Sequence, residues 1–174
     1  MKKYLVVVDI QKDFTTGSLG TPEAIEILDA ASEEIKAFDG KIFVTYDTHF
    51  ENYLETSEGK KLPVEHCIKG TDGHKLHDKI TDALKGKDYS EVIKYTFGSV
   101  DLPKLIADDA EGEKFSVELI GLCTDICVVS NALMLKANFP ENDISVKASC
   151  CAGVSPATHK AALDTMACCQ IDII

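Results

Sequence analysis

The sequence predicts an α/β protein, a three-layer α/β/α arrangement around a mostly parallel central sheet of about six strands. Short runs rich in Val, Ile and Leu are continuously apolar, the pattern of strands buried on both faces of a sheet. Between them lie segments with helical spacing of apolar residues. Strand and helix patterns alternate along the 174 residues with no repeat, no low-complexity stretch and no composition break, so residues 1–174 are expected to form one domain.

Taken in order, Tyr4 to Ile10 is the first apolar run and carries Asp9 near its end. Thr21 to Phe38 has helical spacing behind a Thr21-Pro22 pair, a good N-cap followed by Pro at the first helical position. Lys41 to Tyr46 reads as the second strand. From Asp47 to Gly73 the chain turns polar and irregular, and such a long excursion inside a compact domain is usually functional. Leu76 to Leu84 reads as a short helix, Glu91 to Lys94 as a strand and Leu102 to Asp108 as a helix. The strand Phe115 to Gly121 is followed by a helix over Ile126 to Ala137, the strand Asp143 to Lys147, a helix over Ser155 to Cys169 and a short last strand at Ile171 to Ile174. Right-handed crossovers then place helices on both faces of the sheet.

A hydrophobic content of 45% agrees with a globular fold. A net charge of −11 argues against nucleic acid or an anionic membrane as a partner. No apolar run suits a membrane span and no cleavable leader is evident, so a cytoplasmic protein is expected. Seven cysteines without paired spacing suit neither a disulfide framework nor a structural zinc site. Cys67, Cys150, Cys151, Cys168 and Cys169 read as small apolar fillers, and His74, His77 and His159 as ordinary polar residues. The chain has no Arg and no Trp; its 18 basic residues are all Lys. Bidentate clamping of carboxylates falls to Arg, so a dicarboxylate substrate is disfavoured.

Ligands of open parallel sheets bind outside the carboxyl ends of the strands. Asp9, Asp47 with His49, Lys94 and the Cys123 to Cys127 turn all fall at that rim. Gly121 permits a sharp turn, and Thr124 and Asp125 are good N-cap residues, which puts Cys127 in the first turn of a helix. Unpaired N–H groups there favour a thiolate and lower the thiol pKa. A thiol nucleophile needs a proton acceptor, a nearby positive charge and N–H donors for an oxyanion. Asp9, Lys94 and the backbone of Cys123 and Cys127 supply them, and the predicted chemistry is acyl transfer to Cys127 followed by thioester hydrolysis. Asp47-Thr48-His49 and the later His66 also form a first shell suited to Zn, Mn or Fe.

Asp9-Ile10-Gln11-Lys12-Asp13-Phe14, Lys94-Tyr95-Thr96-Phe97-Gly98-Ser99 and Gly121-Leu122-Cys123-Thr124-Asp125-Ile126-Cys127-Val128 together resemble the isochorismatase-like cysteine hydrolase superfamily. The likeness runs through nearly the whole chain, including Cys150-Cys151-Ala152-Gly153-Val154, and implies its Rossmann-like fold. It implies a catalytic triad of Asp9, Lys94 and Cys127, with a cis peptide between Leu122 and Cys123 shaping the oxyanion hole. Asp47, His49 and His66 look like the metal site of nicotinamidases, in which the metal is thought to hold the pyridine nitrogen. Glu58 stands where some of them offer a fourth ligand. The resemblance therefore implies a divalent metal, zinc first, and a small-molecule amide substrate, nicotinamide or a close aromatic carboxamide. The alternatives are another small amide, ureido or carbamoyl compound, or a non-catalytic binding member of the fold. Relatives are commonly homo-oligomers, which sets the same expectation here. Thr48 replaces a common aromatic, and with no Trp to stack on a ring, Phe14, Tyr53, Tyr95 and Phe97 are the candidate pocket aromatics.

Overall fold

The computed structural model describes residues 1–174. The strands β1 (Lys2–Val8), β2 (Lys41–Asp47), β3 (Tyr89–Lys94), β4 (Phe115–Leu122), β5 (Asp143–Ala152) and β6 (Asp172–Ile173) form one sheet in the order β3-β2-β1-β4-β5-β6. Every neighbouring pair is parallel. The helices are α1 (Lys12–Thr15), α2 (Pro22–Glu26), α3 (Leu28–Ala37), α4 (Ser57–Lys61), α5 (Asp78–Ala83), α6 (Leu102–Ala110), α7 (Val129–Asn138) and α8 (Pro156–Cys168).

Alternate residues of each strand feed two cores. Tyr4, Val6 and Val8 of β1, with Val117 and Leu119 of β4, pack against Leu102 and Ile106 of α6, Leu135 of α7 and Met166 of α8. On the other face, Leu5 and Val7 with Ile42 and Val44 meet Leu28, Ala31 and Ile35 of α3 and Ile80 of α5. Each such side chain taken fully out of water contributes about 1.5–3 kcal/mol, so a one-residue slip of register would cost more than the fold can spare.

The order of strand addition reverses at β1: β2 and β3 extend the sheet on one side, β4 to β6 on the other. This reversal opens a crevice at the carboxyl ends of β1 and β4, the expected ligand position. Gly121 sits at that point with φ +126, and a side chain there would place Cβ 2.1 Å from the Val8 carbonyl oxygen. Only glycine lets β1 and β4 approach so closely where the β4–β5 register shifts.

Several expected boundaries differ. The Thr21 to Phe38 helix is interrupted at Ile27, between α2 and α3, though Thr21 caps as expected: its Oγ1 accepts from the Ala24 N–H at 3.1 Å. With the break, Ala24, Ile27 and Leu28 all reach the core. The short helix α5 begins at Asp78 and is capped by His77, whose Nδ1 accepts the Lys79 N–H at 3.2 Å. Strand β5 runs on past Lys147 to Ala152 because Cys151 and Ala152 pair with Gly121 and Leu122. The long polar excursion contains a turn of 3₁₀ helix, Tyr53–Glu55, and α4. Cys67, Cys150 and Cys151 are buried fillers, whereas Cys168 and Cys169 lie exposed where α8 ends. No helix is long and apolar enough to cross a membrane.

Candidate active site

Parallel pairing carries Asp47 directly opposite Lys94 across β2 and β3, and Asp9 follows β1 in a left-handed conformation, φ +48. Asp tolerates that region better than most side chains, and the turn aims its carboxylate back over the sheet. Thr45 Oγ1 donates to Asp9 Oδ1 at 2.6 Å. Lys94 Nζ lies 2.7 Å from Asp9 Oδ2, 3.1 Å from Asp47 Oδ1 and 3.5 Å from Cys127 Sγ, and it donates to the Thr96 carbonyl at 3.0 Å. Asp9, Asp47, Lys94 and Cys127 are all buried.

Burial and electrostatics set the protonation pattern. Burial lowers the Lys94 pKa, but Asp9, the thiol and Asp47 outweigh it, so the ammonium is held charged. Burial raises the Asp47 carboxyl, yet His49, His66 and Lys94 reverse this and keep it ionised. Asp9 is raised by burial and by Asp47, which together exceed the pull of Lys94 and Thr45. The Cys127 thiol is raised well above its ordinary value, first by burial and then by Asp9, against the opposing effect of Lys94. This reverses the expectation of a depressed thiol. The helix-terminus argument holds for a solvated thiol, whereas here one ammonium faces two carboxylates and cannot also neutralise a thiolate. Asp9 Oδ2 has Lys94 Nζ at 2.7 Å as its ionic partner, while Oδ1 takes the Thr45 hydroxyl.

Cys127 also differs locally from expectation. Thr124–Val128 forms a π-helical turn ahead of α7, with the Val128 N–H donating to the Cys123 carbonyl at 3.0 Å. Such turns recur at functional sites. Cys123, not Thr124 or Asp125, is the N-cap residue, and it makes no side-chain cap bond. Thr124 Oγ1 instead pairs with His159 Nδ1 at 2.8 Å, and Asp125 accepts the Val154 N–H at 3.2 Å. The Leu122–Cys123 peptide is cis.

Beside Lys94 lies a second cluster. Asp47 Oδ2 is 3.0 Å from His49 Nε2 and 3.6 Å from His66 Nε2, and Glu58 Oε1 is 3.6 Å from both rings. His66 Nδ1 is 2.8 Å from the Val64 carbonyl, a contact that places the proton on Nδ1 and turns the Nε2 lone pair inward. One donor atom each from Asp47, His49 and His66 falls within 4.8 Å of the others. Two imidazoles and a carboxylate, buried and convergent, fit a divalent transition metal, with the Glu58 carboxylate within reach as a fourth donor. Burial lowers the His66 pKa, but Asp47, the Val64 carbonyl and Glu58 raise it overall.

Between the two clusters lies a cavity of about 220 Å³, lined by Phe14, Leu19, Leu62, Phe97, Ile126 and Cys123 with Asp47, Glu58, His66 and Cys127. Of the four candidate aromatics, Phe14 and Phe97 line this cavity. Tyr53 does not: it is fully buried behind the Asp47, His49 and His66 cluster, edge-on to His49 and His66 at 4.7 and 5.0 Å between ring centres. Tyr95 faces outward, stacked on Phe50 at 5.8 Å, and lines a groove outside the cavity.

The family model of the Isochorismatase domain matches residues 3–174. The chain belongs to the isochorismatase family. An uncharacterized isochorismatase family protein, PncA, of Bacillus subtilis (strain 168) is 29% identical over 146 residues, covering 76% of this chain and 78% of the relative. The nicotinamidase of Saccharomyces cerevisiae (strain ATCC 204508 / S288c) is 26% identical over 176 residues, covering 75% and 80%. The crystal structure of pyrazinamidase/nicotinamidase from Streptococcus mutans UA159 superposes with TM-score 0.85 at 28% identity, covering 99% of this chain and 100% of that one. These relatives agree with the expectation of a hydrolase acting on amide bonds.

The fold thus brings together Asp9, Lys94 and Cys127, and beside them Asp47, His49, His66 and Glu58. Sequence reasoning missed the supports. Gln11 grips the backbone of Asp47 at both ends, accepting its N–H at 2.8 Å and donating to its carbonyl at 2.9 Å. Asp13 accepts the N–H of Cys67 at 2.8 Å and so fixes the neighbour of His66. Both stand in the Asp9–Phe14 motif, and polar residues recurring just past a strand end were the available signal. His74, unremarkable in sequence, pairs with the Thr48 hydroxyl at 2.8 Å.

Proposed function

We propose that this chain is a metal-assisted amidohydrolase that cleaves nicotinamide, or a close small aromatic carboxamide, to the acid and ammonia through a thioester on Cys127. The observation that carries the reading is the position of Lys94 Nζ within 3.5 Å of the Cys127 sulfur and 2.7 Å of Asp9, with Cys127 itself on the wall of an apolar cavity that also holds Asp47 and His66. Cys127 Sγ attacks the carboxamide carbon as its proton passes to Asp9 Oδ2. Lys94 stabilises the negative charge that sulfur carries on the way. We assign the N–H groups of Cys123 and Cys127 to the oxyanion. Asp9 then returns the proton to the departing nitrogen, ammonia leaves, and water, deprotonated by Asp9, hydrolyses the thioester. A divalent ion held by Asp47, His49 and His66, with Glu58, would supply a Lewis-acidic anchor for a ring nitrogen. Zinc suits this nitrogen and oxygen donor set best, with manganese or iron as the other choices. Phe14 and Phe97 flank the ring.

Ammonia release from nicotinamide before and after chelation tests the reading. Activity lost with chelator and restored by metal, and a His66→Ala protein that folds but loses metal content and binds substrate weakly, are the expected results. A metal-loaded protein that releases no ammonia from nicotinamide would move the substrate to another small amide or to a ureido or carbamoyl compound. Members of the last two classes often carry carboxylates, for which this Arg-free chain has no bidentate partner.

A further inference from the structure

Phe97 forms part of the cavity wall, yet it is 46% exposed and lies on a short loop between β3 and α6. It separates the 220 Å³ cavity from an outer groove of about 490 Å³ that Tyr95 and Lys61 also line. Little packing holds so exposed a ring. The loop is instead held through its backbone, at one end by Lys94 Nζ on the Thr96 carbonyl and at the other by Asn131 of α7. Asn131 is 1% exposed. Its Oδ1 accepts the Ser99 N–H at 2.9 Å, and its Nδ2 donates to the carbonyls of Cys127 at 2.8 Å and Phe97 at 3.4 Å. One buried amide thus joins the backbone of the nucleophile to the backbone of the cavity wall.

We propose that Asn131 is a positioning residue that sets the distance of Phe97 from Cys127 and hence the width of the chamber for an aromatic ring. A helix interior gives no reason for a buried Asn, a poor helix former whose amide must find three partners. All three are supplied by the loop and by the Cys127 carbonyl. Without the amide, the Ser99 N–H loses its acceptor in a dry site, so the loop moves to regain one and takes Phe97 with it. The inference rests on the amidohydrolase reading for its substrate, but its geometry does not.

The test uses Asn131→Ala and Phe97→Ala, singly and together. With nicotinamide, Asn131→Ala should raise KM about tenfold with kcat within about twofold, and the double variant should match Phe97→Ala alone, since residues acting through one another are not additive. Substrate-independent alkylation of Cys127, followed by peptide mass spectrometry, should show the rate with bulky N-phenylmaleimide rising several-fold relative to iodoacetamide in Asn131→Ala. Additive effects, or a fall in kcat with unchanged KM and an unchanged alkylation ratio, would overturn the proposal. Should the wild type prove inactive on nicotinamide, the substrate reading fails while the alkylation ratio still decides the role of Asn131. Asn131→Asp, which keeps the acceptor for Ser99 and loses both donated bonds, provides the same readouts at intermediate size if the Ala variant does not fold.

Discussion

Two Asp–Lys pairs stand at opposite ends of the same sheet. At the carboxyl ends, Lys94 and Asp9 are 2.7 Å apart with side-chain exposures of 1% and 0%. At the other end, Lys41 and Asp109 are 2.6 Å apart at 26% and 27%, joined by the Tyr4 hydroxyl, which donates to Asp109 at 2.8 Å. The separations are alike, but the environments are not. Water screens the outer pair, which ties α6 to the first residues of β1 and β2. The inner pair is dry and has a thiol and a second carboxylate beside it, so each group shifts the pKa of the others. Burial, not the pair itself, makes the difference between a surface tie and a site that can move a proton.

The largest effect that sharpens this contrast is expected from Cys127→Ala. Amide hydrolysis should vanish while thermal unfolding stays close to that of the wild type, and retained turnover would remove Cys127 as the nucleophile. Next comes Asp9→Asn. It leaves Lys94 with only Asp47 as a counter-charge in the dry interior, so stability in urea should fall by on the order of 3 kcal/mol as well as activity falling steeply. A stability equal to the wild type would mean that water reaches the inner pair. The smallest effect is that of Asp109→Asn, at most about 1 kcal/mol with hydrolysis unchanged, as for partly exposed pairs elsewhere. The outer carboxyl is held below its ordinary value by Lys41 and then Tyr4. Its contribution is therefore present above the ordinary Asp pKa of about 3.9 and lost as pH falls through the lowered value in the fold. Melting temperatures of wild type and variant should converge at that acid end; a gap that persists or widens would break the comparison.

The strands, a mostly parallel sheet and the rim of polar residues were legible because each rests on local pattern: apolar runs such as Val6-Val7-Val8, and polar residues just beyond them. That Asp47, His49 and His66 would lie together was legible in the same way, as three residues within one polar excursion. What was not legible depends on partners distant in the chain. The π-helical turn at Thr124–Val128 is held by bonds to His159 and Val154, the helix break at Ile27 serves the core, and the aromatics sort themselves by packing, Tyr53 inward behind the histidines and Tyr95 outward onto Phe50.

By itself, the order of residues determined the family, the alternation of strand and helix and the identity of the groups at the rim, since periodicity and motif spacing are properties of neighbours along the chain. Only the tertiary structure decided how dry the site is, and so which of Asp9, Lys94 and Cys127 holds a proton at rest. It also decided that Asn131 bridges Cys127 and Phe97. Desolvation and hydrogen bonding are sums over everything packed around a group, and residues from β1, β2, β3 and α7 enter those sums only after the chain has folded.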